Sequence, residues 1–156
     1  MLKTVQNMNF NFDCVVISDY NKGFLSYESS VDLIKILLKS KRPIFVDSKK
    51  KDLSCFRKCF IKINEAEYKV LEELPRSSEL IVTLGSSGAR WKNKLFPTVS
   101  EDVFDVCGAG DTFLSALVTA YMSTGSMEKA INFANKCAGI SVKKFGNYVV
   151  SLGDLE

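Results

Sequence analysis

Short apolar runs alternate along the chain with longer stretches of helical period. Cys14-Val15-Val16-Ile17-Ser18 is β-branched, nearly continuous in apolarity and closed by Asp19, the pattern of a buried parallel strand. Residues 27–40 follow with Val31, Ile34, Leu37 and Leu38 at helical spacing. Pro43 interrupts, and Ile44-Phe45-Val46 ending in Asp47 predicts a second strand. Phe60-Ile61-Lys62-Ile63 ending in Asn64 predicts a third, residues 65–73 a helix closed by Pro75, and Leu80-Ile81-Val82-Thr83-Leu84 ending in Gly85 a fourth strand. Repeated strand–helix–strand units of this length imply right-handed crossovers and a parallel sheet covered on both faces.

The remainder reads differently. Residues 89–92 and 94–96 flank Asn93 and predict a hairpin at the sheet edge. A loop over 97–106 leads to a glycine-rich turn and a helix over 112–124, with Phe113, Ala116, Leu117, Ala120 and Tyr121 on one face. Gly125 ends that helix and Ser126 caps the next, which is expected to run to about Phe145 and stop at Gly146. Ala130, Ala134, Cys137 and Ala138 give it a small-residue face for close packing, and Tyr148-Val149-Val150 predicts a final short strand. In an open α/β sheet, ligands bind at the carboxyl ends of the strands, where this chain carries Asp19, Asp47, Asn64 and Gly85; each also serves as an ordinary turn residue.

Composition narrows the chemistry. With 156 residues, 46% apolar and 25% charged, the chain is an ordinary globular one, and a net charge of +3 announces neither a nucleic-acid nor a membrane partner. Histidine is absent, which removes Ser-His-Asp and Cys-His catalysis and His-ligated zinc. Five scattered cysteines (Cys14, Cys55, Cys59, Cys107, Cys137) are odd in number and argue for a reduced, cytoplasmic setting rather than a disulfide scaffold. No apolar run reaches the length of a membrane span, and the N-terminus carries no apolar signal core.

The segment Asp105-Val106-Cys107-Gly108-Ala109-Gly110-Asp111-Thr112 is the most informative. Its glycines remove side chains where a loop becomes a helix, so that the amides of Gly108, Ala109, Gly110 and Asp111 converge on an anion, aided by the helix dipole. Such a nest suits a phosphoryl group in flight. Asp111 at the helix start fits two roles, a base for an attacking hydroxyl or a capping carboxylate. The segment is neither a P-loop, since no Lys follows the second glycine, nor a dinucleotide fingerprint, which would sit after the first strand.

Asp105-Val106-Cys107-Gly108-Ala109-Gly110-Asp111 resembles the D-T-x-G-A-G-D signature of the ribokinase (PfkB) carbohydrate kinases, with Val106 in place of the usual Thr. Thr83-Leu84-Gly85-Ser86-Ser87-Gly88 is similar to that family's T-x-G-x-x-G segment, Asn64-Glu65-Ala66-Glu67 to its N-x-x-E motif, and residues 133–139 to the late helix beside the adenine. Ser18-Asp19-Tyr20-Asn21-Lys22-Gly23, Val46-Asp47-Ser48-Lys49 and the ending 146–151 look like the D-glycero-β-D-manno-heptose 7-phosphate kinase branch, which serves the pathway to ADP-heptose. The resemblance implies an α/β, ribokinase-like three-layer sandwich with a mainly parallel sheet. Residues 1–156 would form its C-terminal, nucleotide-binding half. The other half would carry the lid and most sugar contacts. The adenylyltransferase domain fused to some heptose kinases is not expected, because its H-x-G-H motif needs histidine.

The resemblance also assigns roles. ATP and Mg²⁺ would be the cofactors and a sugar phosphate the acceptor. Asp111 would take the hydroxyl proton while the amides of Gly108, Ala109 and Gly110 hold the transferring oxygens. Asn64 and Glu67, with Glu65 and Ala66 between them, would bind Mg²⁺–ATP through water; spacing alone makes Asn64 and Glu67 a helix-start box. Thr83, Gly85 and Gly88 would line the phosphate path, or simply end a strand and turn a hairpin. Asn135 would lie near the adenine, or on a helix surface. Lys49 would meet a phosphate, or belong to a solvated run with Lys50 and Lys51. Asp19 and Lys22 would contact sugar or set a turn. The competing reading is a nucleotide-binding subunit or inactive fragment of a kinase for another sugar. The chain alone is expected to turn over poorly, to expose an apolar sheet edge, and to self-associate or pair with an N-terminal half.

Overall fold

Valine and isoleucine crowd the first three strands of the computed structural model, which describes residues 4, 5, 7, 11–98 and 103–156. Two units, Met1–Ile81 and Val82–Glu156, divide the chain, and the strands hydrogen-bond in the order β1-β2-β3-β4-β5-β6.

In the first unit β1 (Val15–Asp19), β2 (Ile44–Ser48) and β3 (Phe60–Asn64) are parallel. The register pairs Asp19 with Ser48 and Asp47 with Lys62, so the polar strand ends are aligned. Phe45, Val46, Leu53, Phe56 and Ile61 are wholly buried, and Phe45 stacks on Phe60 with ring centroids 5.1 Å apart. Helix α1 (Tyr27–Leu37) starts at Ser26, whose hydroxyl accepts from the Ser29 amide at 3.1 Å, and buries Leu33, Ile34, Ile36 and Leu37. A single 3-10 turn, Leu38–Ser40, completes the stretch predicted as helical. Strand β1 is less buried than its composition suggests: Ile17 and Asp19 are buried on one face, while Val16, 48% exposed, and Ser18 lie on the open other face.

Helix α2 (Glu65–Lys69) is four residues shorter than expected. The backbone beyond it is claimed elsewhere, since the Glu72 amide donates to the Lys51 carbonyl and the Leu53 amide to the Glu73 carbonyl, each at 2.9 Å. The link from β2 to β3 contains no α-helix, so that unit departs from strand–helix–strand. Strand β4 (Glu79–Thr83) spans the boundary between the units.

The second unit holds the antiparallel hairpin β5 (Ala89–Trp91) and β6 (Lys94–Phe96), turned by Lys92 at φ +54°. Helices α3 (Ala109–Thr124) and α4 (Met127–Ser141) pack against each other. Gly125 in the left-handed region closes α3, and the Ser126 hydroxyl caps α4 through the Lys129 amide at 3.4 Å. Ala130, Ala134 and Cys137 form the buried small-residue face predicted for α4. That helix stops at Ser141 rather than near Phe145, because the Val142 carbonyl accepts the amides of Phe104 (2.8 Å) and Asp105 (3.1 Å). The expected strand at 148–150 does not form. The Tyr148 hydroxyl bonds Asp154 instead (2.9 Å), in a segment ended by the 3-10 turn Leu152–Asp154. Of the expected loop 97–106, residues 99–102 lie outside the described residues, as do residues 1–3 of the N-terminus. No helix among the described residues is long and apolar enough to cross a membrane.

Candidate active site

Asp105 builds the turn before α3. Its Oδ1 accepts from the Cys107 amide at 2.9 Å and its Oδ2 from the Gly146 amide at 3.0 Å. Those two amides favour the ionised form and hold the carboxyl below the usual aspartate range. Gly108 follows at φ +73°, where a Cβ would lie 2.6 Å from Asn147 Oδ1. Glycine meets both demands, the left-handed backbone and the close neighbour.

Helix α3 begins at Ala109, so Asp111 is its third residue rather than its cap. Three amides are left for an anion. Thr112 donates to the Gly108 carbonyl (2.9 Å) and Ala109 to the Val106 carbonyl (3.2 Å). The amides of Gly108, Gly110 and Asp111 meet no carbonyl among the described residues. The Ala109 amide is thus the one member of the predicted nest already engaged. The Asp111 carboxylate is exposed, with no hydrogen-bond or ion-pair partner among the described residues. It caps no amide at the helix start among the described residues.

Two cavities flank this turn, both within the second unit. One, of about 180 Å³, is lined by Thr83, Gly85, Gly88, Ala109, Gly110 and Asn135, with apolar walls from Val103, Val106, Phe113, Ala138 and Val142. The other, of about 480 Å³, is lined by Gly108, Asp111, Thr112, Ser115, Asn147 and the segment 148–152. The turn therefore presents Ala109 and Gly110 to one cavity and Gly108 and Asp111 to the other.

Asn135 is buried, not on a helix surface; its Nδ2 donates to the Phe96 carbonyl at 2.8 Å and ties α4 to β6. Gly88 is a packing glycine as well as a cavity residue: at φ +91°, a Cβ there would sit 2.1 Å from the Phe96 carbonyl oxygen.

The first unit gathers Asn64, Glu67 and Lys49. Asn64 and Glu67 form a reciprocal capping box: Asn64 Oδ1 accepts from the Glu67 amide and Glu67 Oε2 from the Asn64 amide, each at 2.8 Å. Glu67 Oε1 faces Lys49 Nζ at 3.3 Å, and that ammonium lies 5.4 Å from the Tyr20 ring centroid. Burial works against the Lys49 charge, but the hydrogen bond and charge of Glu67, together with Asp47 and Tyr20, outweigh it and raise the amine above its ordinary value. Glu65 pairs outward with Lys69 at 3.1 Å and Ala66 is exposed; neither lines a described cavity. The lysine run is not uniformly solvated, since Lys50 is buried against Asp19 (3.0 Å) and donates to the Leu25 carbonyl (2.5 Å). Asp19 also accepts from the Ser48 hydroxyl (2.9 Å) and the Asn21 amide (3.0 Å), so its oxygens are spent on structure.

No cluster of three His, Cys, Asp or Glu suited to a metal occurs among the described residues. The Glu67 carboxylate nonetheless suits an outer-sphere role. It is rotationally fixed, and its two oxygens keep lone pairs beyond those used by the Asn64 amide and Lys49.

Sequence reasoning missed the apolar wall made by Val103, Val106 and Val142; Phe113, read as core, is buried as expected and also lines that cavity. It also missed the anchoring function of Asp105 and the approach of Asn147 to Gly108. The D-x-C spacing signals the Asp105 turn, but nothing local links residue 147 to residue 108.

The solved structures define the class of fold. Phosphofructokinase-2 from Escherichia coli in complex with potassium matches with a TM-score of 0.81 at 20% identity, over 98% of this chain and 58% of that one. Arabidopsis thaliana ribokinase complexed with ribose and ATP matches at 0.71 and 21%, over 93% and 53%. The fold is ribokinase-like, a mostly parallel sheet with helices. The model of the pfkB family carbohydrate kinases matches residues 50–152, and the chain belongs to that family. The bifunctional protein HldE of Sulfurimonas denitrificans is 31% identical over 93% of this chain and 35% of its own length. The chain thus spans about a third of the curated relatives it matches.

Proposed function

We propose that the chain binds ATP in the smaller cavity and transfers its γ-phosphoryl group, across the turn at 108–111, to a hydroxyl of a sugar phosphate in the larger one. The observation that carries this reading is the position of the turn. The amides of Gly108, Gly110 and Asp111 meet no carbonyl among the described residues, Gly110 lines the smaller cavity, and Gly108 and the unpartnered carboxylate of Asp111 line the larger. Val103, Val106 and Phe113 supply an apolar slot for a flat base, while Thr83 and Gly85 border the phosphates.

As the acceptor oxygen attacks phosphorus, Asp111 takes its proton; general-base assistance of this kind contributes roughly 10²–10⁴-fold. The free amides face the oxygens on which negative charge builds, where one good donor contributes about 3 kcal/mol. Within the first unit, Glu67, its carboxylate fixed by Asn64, would hold Mg²⁺ through water, and such an ion supplies the charge neutralisation that phosphoryl transfer needs. Lys49 belongs to the same group through its contact with Glu67.

We take the acceptor to be D-glycero-D-manno-heptose 7-phosphate, on the pathway to ADP-heptose. The segments Ser18–Gly23 and Val46–Lys49 and the similarity to HldE proteins support this. We assign residues 1–156 to the C-terminal, nucleotide-binding half of the kinase domain. The reaction belongs in the cytoplasm, where ATP is plentiful and the five free thiols stay reduced.

The test is phosphotransfer from ATP to heptose 7-phosphate by the chain, alone and mixed with the N-terminal half of a related kinase domain. Asp111→Asn should abolish transfer and leave ATP affinity within about twofold. Wild-type turnover by that variant would remove Asp111 as the base. A second reading has its own support, because the chain spans only about a third of its relatives. On that reading it is a nucleotide-binding subunit, and it predicts ATP binding with no transfer in either mixture.

A further inference from the structure

We propose that Asn147 contacts the acceptor and orients its attacking hydroxyl in front of Asp111; this rests on the kinase reading above. Asn147 is far from Asp111 in sequence, yet both line the larger cavity. Its carboxamide packs over the α-carbon of Gly108, where Oδ1 leaves no room for a Cβ. The residue before it, Gly146, is held by Asp105 at 3.0 Å, and the same loop is tied to the end of α4 through the Val142 carbonyl at 2.8 Å. Asn147 therefore stands at a fixed place beside the anion turn.

Asn147 is exposed, and no protein partner for its carboxamide occurs among the described residues, so the group is open to a ligand in the cavity. Most polar groups around it are spent. Ser115 donates to the Asp111 carbonyl (2.8 Å), Thr119 to the Ser115 carbonyl (2.9 Å), and the hydroxyls of Tyr148 (2.9 Å) and Ser151 (2.7 Å) to Asp154. Asp111, Thr112 and Asn147 retain open capacity in that cavity, and of these Asn147 alone both donates through nitrogen and accepts through oxygen. Such a group bridges neighbouring hydroxyls of a sugar. Held at two points, the sugar is fixed in rotation, and the remaining hydroxyl directs its proton at the Asp111 carboxylate.

The side-chain amide resonances of Asn147, assigned by their loss in Asn147→Ala, provide the test, with ATP and then heptose 7-phosphate added in the presence of ADP. The expected result is a shift of the Asn147 pair on adding the sugar phosphate, retained in Asp111→Asn. If resonances of residues 149–151 shift and the Asn147 pair does not, the proposal falls while the kinase reading stands. A chain that responds to ATP and not to the sugar phosphate also overturns the proposal, and leaves the nucleotide site standing. No response to either ligand overturns both. In the phosphotransfer assay, Asn147→Ala should raise the acceptor KM about tenfold, the effect of one hydrogen bond, with the KM for ATP and the melting temperature unchanged. Equal rises in both KM values would make the residue merely structural.

Discussion

Lys62 and Asp47 stand opposite each other in register on β3 and β2, 2.7 Å apart, with side chains only 6% and 13% exposed. A charge pair this withdrawn from water is costly to form and costlier to break. Removing one partner strands the other in a poorly solvated site and costs about 3–5 kcal/mol, whereas an apolar pair of similar volume is often neutral or stabilising. Lys62→Met should therefore lower the urea midpoint markedly, and Asp47→Leu added to it should restore most of the loss. A single variant that unfolds like the wild type would show that water reaches the pair.

Asp105 makes the second unit sensitive to acid. Its folded carboxyl is held below its ordinary value of 3.8 by the amides of Cys107 and Gly146. A depressed carboxyl stabilises the fold fully above the unfolded pKa, and that contribution fades as pH falls through the folded value. The tie between the turn and Gly146 should thus loosen only below about pH 4. Hydrogen exchange of the Gly146 amide should accelerate there relative to buried helix amides. In Asp105→Asn the acceleration should already be present at pH 7 and change little with further acid.

The strands were legible because parallel strands are written in local composition. Ile44-Phe45-Val46 and Phe60-Ile61 are apolar on both faces, and the structure buries all of them but Phe60, which is partly exposed. The capping box of Asn64 and Glu67 was equally local. Helix lengths were less so. Leu71, Glu72 and Glu73 are good helix formers, yet the Glu72 amide and the Glu73 carbonyl pair with Lys51 and Leu53, partners that local spacing does not reveal. The helix α4 and the final segment fail as predictions for the same reason. Val142 is capped by a loop some 40 residues earlier, and Tyr148 is drawn to Asp154 rather than to a strand. At the candidate site, the motif marks the turn before α3, while the apolar wall and the approach of Asn147 to Gly108 depend on contacts across the unit.

The five cysteines should separate cleanly by reactivity. Burial pushes the Cys55 thiol up to about 11 and the Cys59 thiol to about 12, and also raises Cys14 and Cys137. Thiols so shifted are protonated and unreactive at neutral pH. Cys107 is exposed at the edge of the turn. A disulfide reagent at pH 7.5 should modify one thiol per folded chain quickly, and mass mapping should place it at Cys107. All five should react in denaturant. Fast labelling of Cys55 or Cys59 in the native protein would contradict the burial of these two thiols.

Glu67 carries two duties that one substitution can part. As the third residue of α2 it completes the capping box, and a glutamine there accepts the same amide hydrogen bond. In the proposed reaction its carboxylate is also the charge offered to a hydrated Mg²⁺. Glu67→Gln keeps the first and removes the second, at the further expense of the half-exposed pair with Lys49, a contact of roughly 0–1 kcal/mol. Its unfolding free energy should therefore stay within about 1 kcal/mol of wild type. Asn64→Ala, which removes the cap itself, should lose about 1 kcal/mol. ATP affinity measured by calorimetry in EDTA should be the same for Glu67→Gln and wild type. In saturating Mg²⁺ the wild type alone should gain affinity. Should Glu67→Gln keep the full Mg²⁺-dependent gain, the carboxylate belongs to the helix start and to nothing else.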